Sequence, residues 1–465
     1  MRINVIFLAR KHPALFSVCL EFRRIALLLL KQLKDAFNYA LLEFFHYRKK
    51  NKLPIYINLY SPVRKHHLYV SELANKLYDV SGYNVSQRYL CESEKMQIDE
   101  KHLIVTEQIG RPTTIFDPGY VSAIGHIALL MTFPKLEKTN QITNENRIVI
   151  FNKAANIEYL KALSEFYTFM KFRNEELEEI IRSNTFPIQR MGAVRVGEEI
   201  VNDYLAQNLA EEKLRKEFGI HHHLLDPKII SERVTELEHS EIHKLQQGNF
   251  VSFHVRSTAT PEDRSANNCD IKDYLPAVKF LQSQGVRIVF LGHANMPRIS
   301  DYMSNMSNIW DYAHDPNRHP LIDLYLLSNP SFIVNTASGP VFVSNDFGVS
   351  TLYTNQVHIG MNFDLRGYVL PHLILDKTIG KILSYSEMIR TPLAWNSRNS
   401  FENLVRIKNS QEDILLGVKR MFREFQSNDN NAWFRTRIDQ EFSQIGPSMT
   451  IEPDFYLRNE ELFRK

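Results

Sequence analysis

A histidine and an arginine lie at the end of one predicted strand, where an anionic ligand could reach them. Residues 249–255 predict a strand, in which Val251, Phe253 and Val255 share one face and Ser252 and His254 the other, polar face. Arg256 follows where this strand ends. A guanidinium holds a phosphate with two parallel hydrogen bonds, and His254 could donate to the same anion. The alternative is a surface arginine paired with Glu262 or Asp263 beside a core histidine, so this pair alone assigns no function.

A short polar segment follows a second predicted strand, residues 331–335. Thr336, Ser338 and Gly339 lead from it into a short predicted helix whose first position is Pro340. Proline suits that position because the first N–H groups of a helix have no acceptor within the helix. Unpaired N–H groups at such an end attract a diphosphate. An ordinary strand-to-helix turn has the same composition, so that alternative stays open.

One acid, Asp323, lies at the start of the otherwise apolar predicted helix 321–328. A carboxylate in a first helical turn is electrostatically favourable, which is the simpler explanation of its position. It could also accept a hydrogen bond from a ligand hydroxyl or hold the loop around Ser338.

The elements that must position these residues alternate between strand-like and helix-like segments. In the first half, we predict strands at 54–60, 102–106, 113–116 and 147–151 and helices at 125–136 and 154–170. In the second half, we predict strands at 249–255, 286–291, 331–335 and 350–353 and helices at 274–284 and 321–328. The connections are long enough for crossover helices, so adjacent strands should be parallel. The pattern predicts an α/β protein with two facing Rossmann-like domains.

We divide the chain into four segments on this pattern. They are a basic amphipathic helical segment (1–52), a first Rossmann-like domain with a charged helical insert at 171–245 (53–245), a second Rossmann-like domain (246–395) and a C-terminal extension with a helix at 414–425 (396–465). Ligands of parallel α/β sheets bind beyond the carboxyl ends of the strands, which is where Arg256 and Ser338 are expected.

Composition and charge exclude several classes of protein. The chain has 465 residues, 44% of them hydrophobic and 23% charged, which excludes a disordered or collagen-like chain. Its three cysteines form no CxxC pair, which favours a reduced, cytoplasmic setting. No run of about 18 apolar residues predicts a membrane-spanning helix.

The positive charge is concentrated at the start of the chain. The net charge is +3, yet residues 1–70 contain 13 Lys or Arg and three acids. An apolar stripe in this segment could touch lipid while its cations meet anionic headgroups, which would place residues 1–50 on the inner face of a membrane. The same stripe could instead pack on the protein's own core. Because the positive excess is confined to one end, we predict no nucleic-acid partner.

The order of several segments is more specific than any one of them. They are FHVR (253–256), Arg264 and Asn268, DYLPAVKFLQSQG (273–285), RIVFLG (287–292), WDYA (310–313), DLYLL (323–327) and FIVNTASGPVFVSNDFGVSTLYTN (332–355). With these segments, the chain resembles the nucleotide-sugar-binding lobe of GT-B glycosyltransferases. Within that group it resembles a bacterial family of surface-polysaccharide biosynthesis that is distantly similar to O-fucosyltransferases and nodulation α-1,6-fucosyltransferases. In the first half, only IGH (124–126) is similar to the family.

The resemblance implies a role for each matching residue. Arg256 would contact the donor diphosphate, with His254 beside it, and Arg264 would belong to the same donor site. Thr336, Ser338 and Gly339 would line the nucleotide pocket. Asp323 matches the acidic position that precedes this turn. The segment STATPED (257–263) departs from the shorter, more aromatic link of relatives, which would change donor or acceptor preference.

Sugar transfer from a nucleotide builds negative charge on the departing diphosphate, and catalysis depends on stabilising that charge. Many glycosyltransferases use a metal held by an Asp-x-Asp motif, but no Asp in this sequence has another Asp two positions away. We therefore predict no metal and no other cofactor, with Arg256 and the turn at Ser338 and Gly339 stabilising the charge. The adjacent His221, His222 and His223 do not predict a zinc site, because neighbours on a helix point in different directions.

The acceptor hydroxyl also needs a base. His126, at the start of a predicted helix in the first half, is the candidate, because imidazole titrates near neutral pH. Glu262, Asp263 or Asp117 could serve instead, and a histidine that caps a helix or fills a core would have the same sequence context.

Together these features predict a GT-B-like glycosyltransferase of the hexosyltransferase or fucosyltransferase type. It would transfer a sugar from a nucleotide-sugar donor to a cell-surface glycan or a lipid-linked acceptor, in the cytoplasm or peripherally on the membrane. Two alternatives remain. One is a nucleotide-sugar epimerase of the same architecture, and the other is a non-catalytic glycan-binding or assembly protein.

Overall fold

The computed structural model describes residues 94–95, 113–142, 146–171, 188–189, 191, 194–196, 199–201, 203–219, 222–257, 266–359, 366–395, 397–429, 432 and 450–463. The predicted strands at 54–60 and 102–106, the basic segment 1–52 and Arg264 lie outside these residues. All described residues belong to one unit of the chain, Tyr60–Lys465.

Apolar segments of the first half form a five-stranded sheet, which we call the first lobe together with its helices. Its strands are β1 (Glu94–Lys95), β2 (Thr113–Phe116), β3 (Asn146–Phe151), β4 (Thr168–Lys171) and β5 (Ile188–Gln189). Their order is β1-β4-β3-β2-β5, and every neighbouring pair is parallel except β1 with β4. A hairpin of β6 (Val194–Val196) and β7 (Glu199–Val201) follows. The predicted strands 113–116 and 147–151 are therefore confirmed.

Three short helices connect the strands of the first lobe. They are α1 (Ile124–Leu129), α2 (Thr132–Lys138) and α3 (Ile157–Ala162). The single helix predicted at 125–136 is thus divided into two, and the helix predicted at 154–170 is wrong beyond Ala162. Tyr167 packs edge-on against Phe116 with ring centroids 5.4 Å apart. Aromatic and β-branched residues around Thr168 favour strand pairing there over continuation of the helix.

Three further helices lead to the second half of the chain. They are α4 (Asp203–Phe218), α5 (Pro227–Thr235) and α6 (Ser240–Gln246). The prediction of a mainly helical insert at 171–245 therefore needs correction, because β5, β6 and β7 lie in its first part.

The second half forms a sheet of six parallel strands, which we call the second lobe together with its helices. The strands are β8 (Phe250–His254), β9 (Arg287–Leu291), β10 (Ile309–Trp310), β11 (Phe332–Asn335), β12 (Thr351–Gln356) and β13 (Gly367–Pro371). Their order is β10-β9-β8-β11-β12-β13. Numbered along the chain this order is 3-2-1-4-5-6, the arrangement of a doubly wound nucleotide-binding sheet. The predicted α/β class with two parallel-stranded, Rossmann-like lobes is confirmed.

Helices cover both faces of the second sheet. They are α7 (Leu275–Ser283), α8 (Pro320–Ser328) and α9 (Pro340–Asp346). The face of β8 with Val251 and Phe253 shares a buried core with Val278 of α7. The opposite face packs against α8, because the Ser252 hydroxyl donates to the Leu326 carbonyl at 2.7 Å. His254, two residues after Ser252, shares that second face.

The remaining elements complete the second lobe. They are β14 (Leu373–Asp376), β15 (Lys381–Ile382), α10 (Tyr385–Met388), β16 (Ser400–Phe401), β17 (Leu404–Ile407), α11 (Gln411–Gln426), α12 (Pro453–Arg458) and α13 (Glu460–Phe463). Ile414, Val418 and Met421 form a buried stripe at helical spacing on α11. Phe422 of the same helix packs edge-on against Phe280 of α7, with ring centroids 5.7 Å apart. The helix predicted at 414–425 therefore belongs to the outer layer of the second sheet.

Candidate functional site

The centre of the second sheet is a topological switch point. From β8 the chain continues to β9 and β10 on one side, whereas β11 continues to β12 and β13 on the other. Ligands of open parallel sheets bind in the crevice at the carboxyl ends of such strands. His254 and Asn335, the last residues of β8 and β11, are direct Cα partners across the two strands. The two sequence-predicted segments therefore meet at the expected edge.

Backbone hydrogen bonds hold these two segments together. The Thr336 N–H donates to the His254 carbonyl at 3.1 Å, and the Arg256 N–H donates to the Thr336 hydroxyl oxygen at 3.1 Å. The Thr336 hydroxyl donates to the same His254 carbonyl at 3.3 Å. On its other side, the Arg256 carbonyl accepts from the Cys269 N–H at 2.8 Å. Thr336 thus joins the strands, and the main chain at Arg256 is fixed from two directions.

His254 is buried and electrically neutral at neutral pH. The pKa of its imidazole is lowered to about 4, mainly by burial; nearby Asn335 opposes this shift and the Arg256 charge adds to it. Asn335 is close enough to act on the imidazole, but the buried Nδ1 of His254 makes no well-formed hydrogen bond. An anionic ligand beside His254 would favour its protonated form.

Asn335 is a candidate site residue that sequence reasoning missed. It is 0% exposed, and neither Oδ1 nor Nδ2 has a hydrogen-bond partner among the described residues. A buried polar group without a partner costs about 1–3 kcal/mol, so a polar ligand here would recover that cost. The available signal was a lone amide that ends the otherwise apolar strand FIVN.

The turn of residues 336–339 offers backbone donors beside these side chains. Within the described chain, the N–H groups of Ala337, Ser338 and Gly339 have no hydrogen-bond acceptor. Successive N–H groups in a turn form a concavity that suits an anion. We call His254, Arg256, Asn335 and this turn the strand-edge site.

Gly339 also brings the first lobe to the strand-edge site. A Cβ placed on Gly339 would lie 2.7 Å from the Gly125 nitrogen and 2.8 Å from its Cα. A Cβ on Gly125 would lie 2.5 Å from the Gly339 Cα. The two backbones therefore touch where only glycine fits, and α1 meets the start of α9.

His126, the predicted base, follows Gly125 directly in α1. Its Nδ1 lies 2.9 Å from the Ser122 hydroxyl oxygen and 3.2 Å from the Gly119 carbonyl oxygen. The Ser122 hydroxyl also donates to that same carbonyl at 2.8 Å. If Nδ1 carries the hydrogen, Nε2 has the lone pair that a base needs. The other first-lobe candidate, Asp117, accepts a hydrogen bond from the Gly119 N–H at 2.8 Å and so supports this turn.

Asp323 lies on the same face of the sheet as His254. Asp323 precedes Leu326 of α8 by about one helical turn, and the Leu326 carbonyl accepts a hydrogen bond from Ser252 of β8. Because α8 runs antiparallel to the strands that it connects, Asp323 lies nearer than Leu326 to the carboxyl edge of the sheet. Its carboxylate lies 3.4 Å from the Arg318 guanidinium. Burial raises the pKa of Asp323, and Arg318 partly offsets this effect.

Other sequence-predicted features fall outside this group. Arg264, Glu262 and Asp263 lie outside the described residues. Among the described residues, no cluster of His, Cys, Asp or Glu could hold a metal ion, and no helix is long and apolar enough to cross a membrane. An open depression at the opposite edge of the second sheet is lined in part by Ser231, Phe250 and Tyr325. Phe250 begins β8, so this depression lies away from the carboxyl ends where ligands bind.

Comparisons with known proteins give distant structural similarities. No protein-family model and no curated protein matches the sequence. The chain is similar to a glycosyl transferase family 9 structure from Veillonella parvula, with 12% identity and a TM-score of 0.41 over 67% of this chain and 98% of that chain. It is also similar to E. coli heptosyltransferase WaaC with ADP, with 10% identity and a TM-score of 0.34 over 56% of this chain and 90% of that chain.

A third similar structure is the iron-containing dodecameric glycosyltransferase TibC from enterotoxigenic E. coli, with 12% identity and a TM-score of 0.35 over 68% of this chain and 77% of that chain. Identities of at most 12% and TM-scores of at most 0.41 among these three do not define a family for this chain. The resemblance to fucosyltransferases stays a prediction.

Proposed function

We propose that this protein is a GT-B-type glycosyltransferase whose strand-edge site binds the diphosphate of a nucleotide-sugar donor. The observation that carries the proposal is the pairing of His254 with Asn335 at the switch point, where buried polar atoms have no hydrogen-bond partner among the described residues. Arg256 supplies a permanent positive charge at the same place. Unpaired polar groups at the carboxyl ends of parallel strands are well placed to receive a polar ligand.

The chemistry of the site fits sugar transfer. Negative charge that develops on the departing diphosphate would be stabilised by the Arg256 guanidinium and by the N–H groups of the 336–339 turn. Because the sequence has no Asp-x-Asp motif, we propose that these groups take the role that a metal has in other glycosyltransferases. His126 would accept the proton of an acceptor hydroxyl from the first-lobe side. The proposed acceptor is a glycan or a lipid-linked sugar.

A thermal-shift screen with ADP-, GDP-, UDP- and CMP-sugars tests the donor half of the proposal. We expect at least one nucleotide diphosphate sugar to raise the melting temperature, because a ligand that binds only the folded state stabilises it. A protein that none of them stabilises would be better described as a glycan-binding or assembly component.

Product analysis tests the transfer half. With the stabilising donor and a panel of glycans, we expect a product that contains both the sugar and the acceptor. Conversion of the donor to an isomeric sugar nucleotide without any acceptor would instead identify an epimerase.

A further inference from the structure

A buried group of charged side chains connects the two lobes. Lys135 of α2 is 1% exposed, and its Nζ lies 2.6 Å from Asp346 Oδ1 of α9. The same Nζ lies 2.7 Å from Glu211 Oε2 of α4, a close ion pair whose angle does not make a good hydrogen bond. Tyr159 of α3 donates its hydroxyl to Asp346 Oδ2 at 2.7 Å. We call Lys135, Tyr159, Glu211 and Asp346 the interlobe cluster.

The charges of the interlobe cluster depend on one another. Burial alone would lower the pKa of Lys135, but the carboxylates of Asp346 and Glu211 outweigh burial and raise it. Burial raises the pKa of Asp346 to about 6, although Lys135 opposes this shift. Loss of either partner would therefore leave a charge in a place that water does not reach.

Asp346 connects the interlobe cluster to the strand-edge site through α9. Asp346 is the last residue of α9, a helix of seven residues that begins directly after the 336–339 turn. Such a helix is only about 10 Å long. Its start touches the first lobe through Gly339 and Gly125, and its end is bonded to Lys135 and Tyr159. Both ends of α9 are thus held by the first lobe.

We infer that Lys135, Tyr159 and Asp346 are positioning residues that set the orientation of the 336–339 turn and so the donor affinity of the strand-edge site. This inference rests on the proposed function, in which the turn binds the donor diphosphate. A short helix fixed at both ends holds its preceding turn in one orientation, whereas release of one end allows the turn N–H groups to diverge.

A pair of matched tyrosine variants tests the inference in the full-length protein. Tyr159→Phe removes only the hydroxyl that binds Asp346, and the control Tyr167→Phe removes a buried hydroxyl that donates to the Leu130 carbonyl at 2.5 Å within the first lobe. In Tyr159→Phe, we expect the nucleoside diphosphate with the highest affinity for the wild type to bind about three- to tenfold more weakly. Tyr167→Phe should keep wild-type affinity.

Hydrogen exchange supplies a readout that needs no ligand. Peptides spanning residues 336–346 should exchange faster in Tyr159→Phe than in the wild type, and Tyr167→Phe should leave them unchanged. Unchanged exchange in Tyr159→Phe, or an equal increase in both variants, would overturn the inference. If the wild type binds no nucleotide, the proposed function fails while the exchange result still decides the positioning role.

Discussion

The strand-edge site and the interlobe cluster are both buried and polar, but their polar groups are satisfied in different ways. In the interlobe cluster, two carboxylates lie within 2.7 Å of Lys135, and Tyr159 satisfies the second oxygen of Asp346. At the strand edge, both amide atoms of Asn335 and the Nδ1 of His254 have no partner among the described residues. Burial alone therefore does not identify a binding site. Unpaired buried polar atoms also occur elsewhere among the described residues, for example on Gln207 and Thr450, so it is their position at the carboxyl ends of parallel strands that points to a ligand.

The contrast predicts opposite responses to substitution. Charged groups that pair with one another stabilise the fold together. Removal of one of them leaves the others buried without a partner, which lowers the free energy of unfolding. Groups without a protein partner reduce stability until a ligand pairs with them, so their removal should affect binding more than folding.

The largest effect is expected for Lys135→Met, which leaves Asp346 and Glu211 buried without their shared cation. We expect the free energy of unfolding to fall by about 3–5 kcal/mol, measured by urea denaturation. The control Lys216→Met removes a lysine that is 71% exposed and paired with Glu212, and it should change stability by less than about 1 kcal/mol. Equal effects of the two variants would remove the distinction between the cluster and a surface ion pair.

A smaller and opposite effect is expected for Asn335→Val, which replaces the unpaired amide by a β-branched side chain suited to a strand. The free energy of unfolding should stay within about 1 kcal/mol of the wild type or rise, because the Asn335 amide makes no well-formed hydrogen bond to any described residue. Affinity for the nucleoside diphosphate should fall about tenfold. Strong destabilisation with unchanged affinity would show that Asn335 is a structural residue.

The smallest effect concerns the protonation of His254. In the free protein the pKa of His254 is about 4, below its ordinary value of 6.5. The unfolded chain therefore binds more protons between these two values, so the contribution of His254 to stability falls as the pH is lowered through this window. A bound diphosphate should raise the pKa of His254 by about 1 or more, which an NMR titration with and without nucleotide would measure. An identical titration curve in both states would place the anion elsewhere.

The second lobe could be predicted from sequence largely because its strands are apolar, short and separated by clear helices. The strands predicted at 249–255, 286–291 and 331–335 differ from the observed ones by one residue at their ends. The proximity of Arg256 and the 336–339 turn followed from a general rule about the carboxyl ends of parallel strands. The order and direction of the strands were sufficient to predict that Arg256 and the turn lie close together.

The first lobe and the interlobe cluster were not predictable in the same way. Apolar residues around Tyr167 fit a helix and a strand equally well, and pairing with β3 decided the outcome. Lys135 and Asp346 are 211 positions apart, and each resembles an ordinary charged residue at a helix end. Only the tertiary fold brings the Lys135 side chain to the end of α9, and local sequence carries no signal of that contact.

The central claim is that the carboxyl edge of β8 and β11 binds a pyrophosphate group, and calorimetry on Arg256→Ala tests it most directly. Arg287 begins β9 at the opposite edge of the same sheet and lies 3.9 Å from Glu241, so Arg287→Ala is the matched control. With the preferred nucleoside diphosphate as ligand, we expect Arg256→Ala to lose about 2 kcal/mol or more of binding free energy and Arg287→Ala to bind like the wild type. Wild-type affinity in Arg256→Ala, or the same loss in both variants, would contradict the claim.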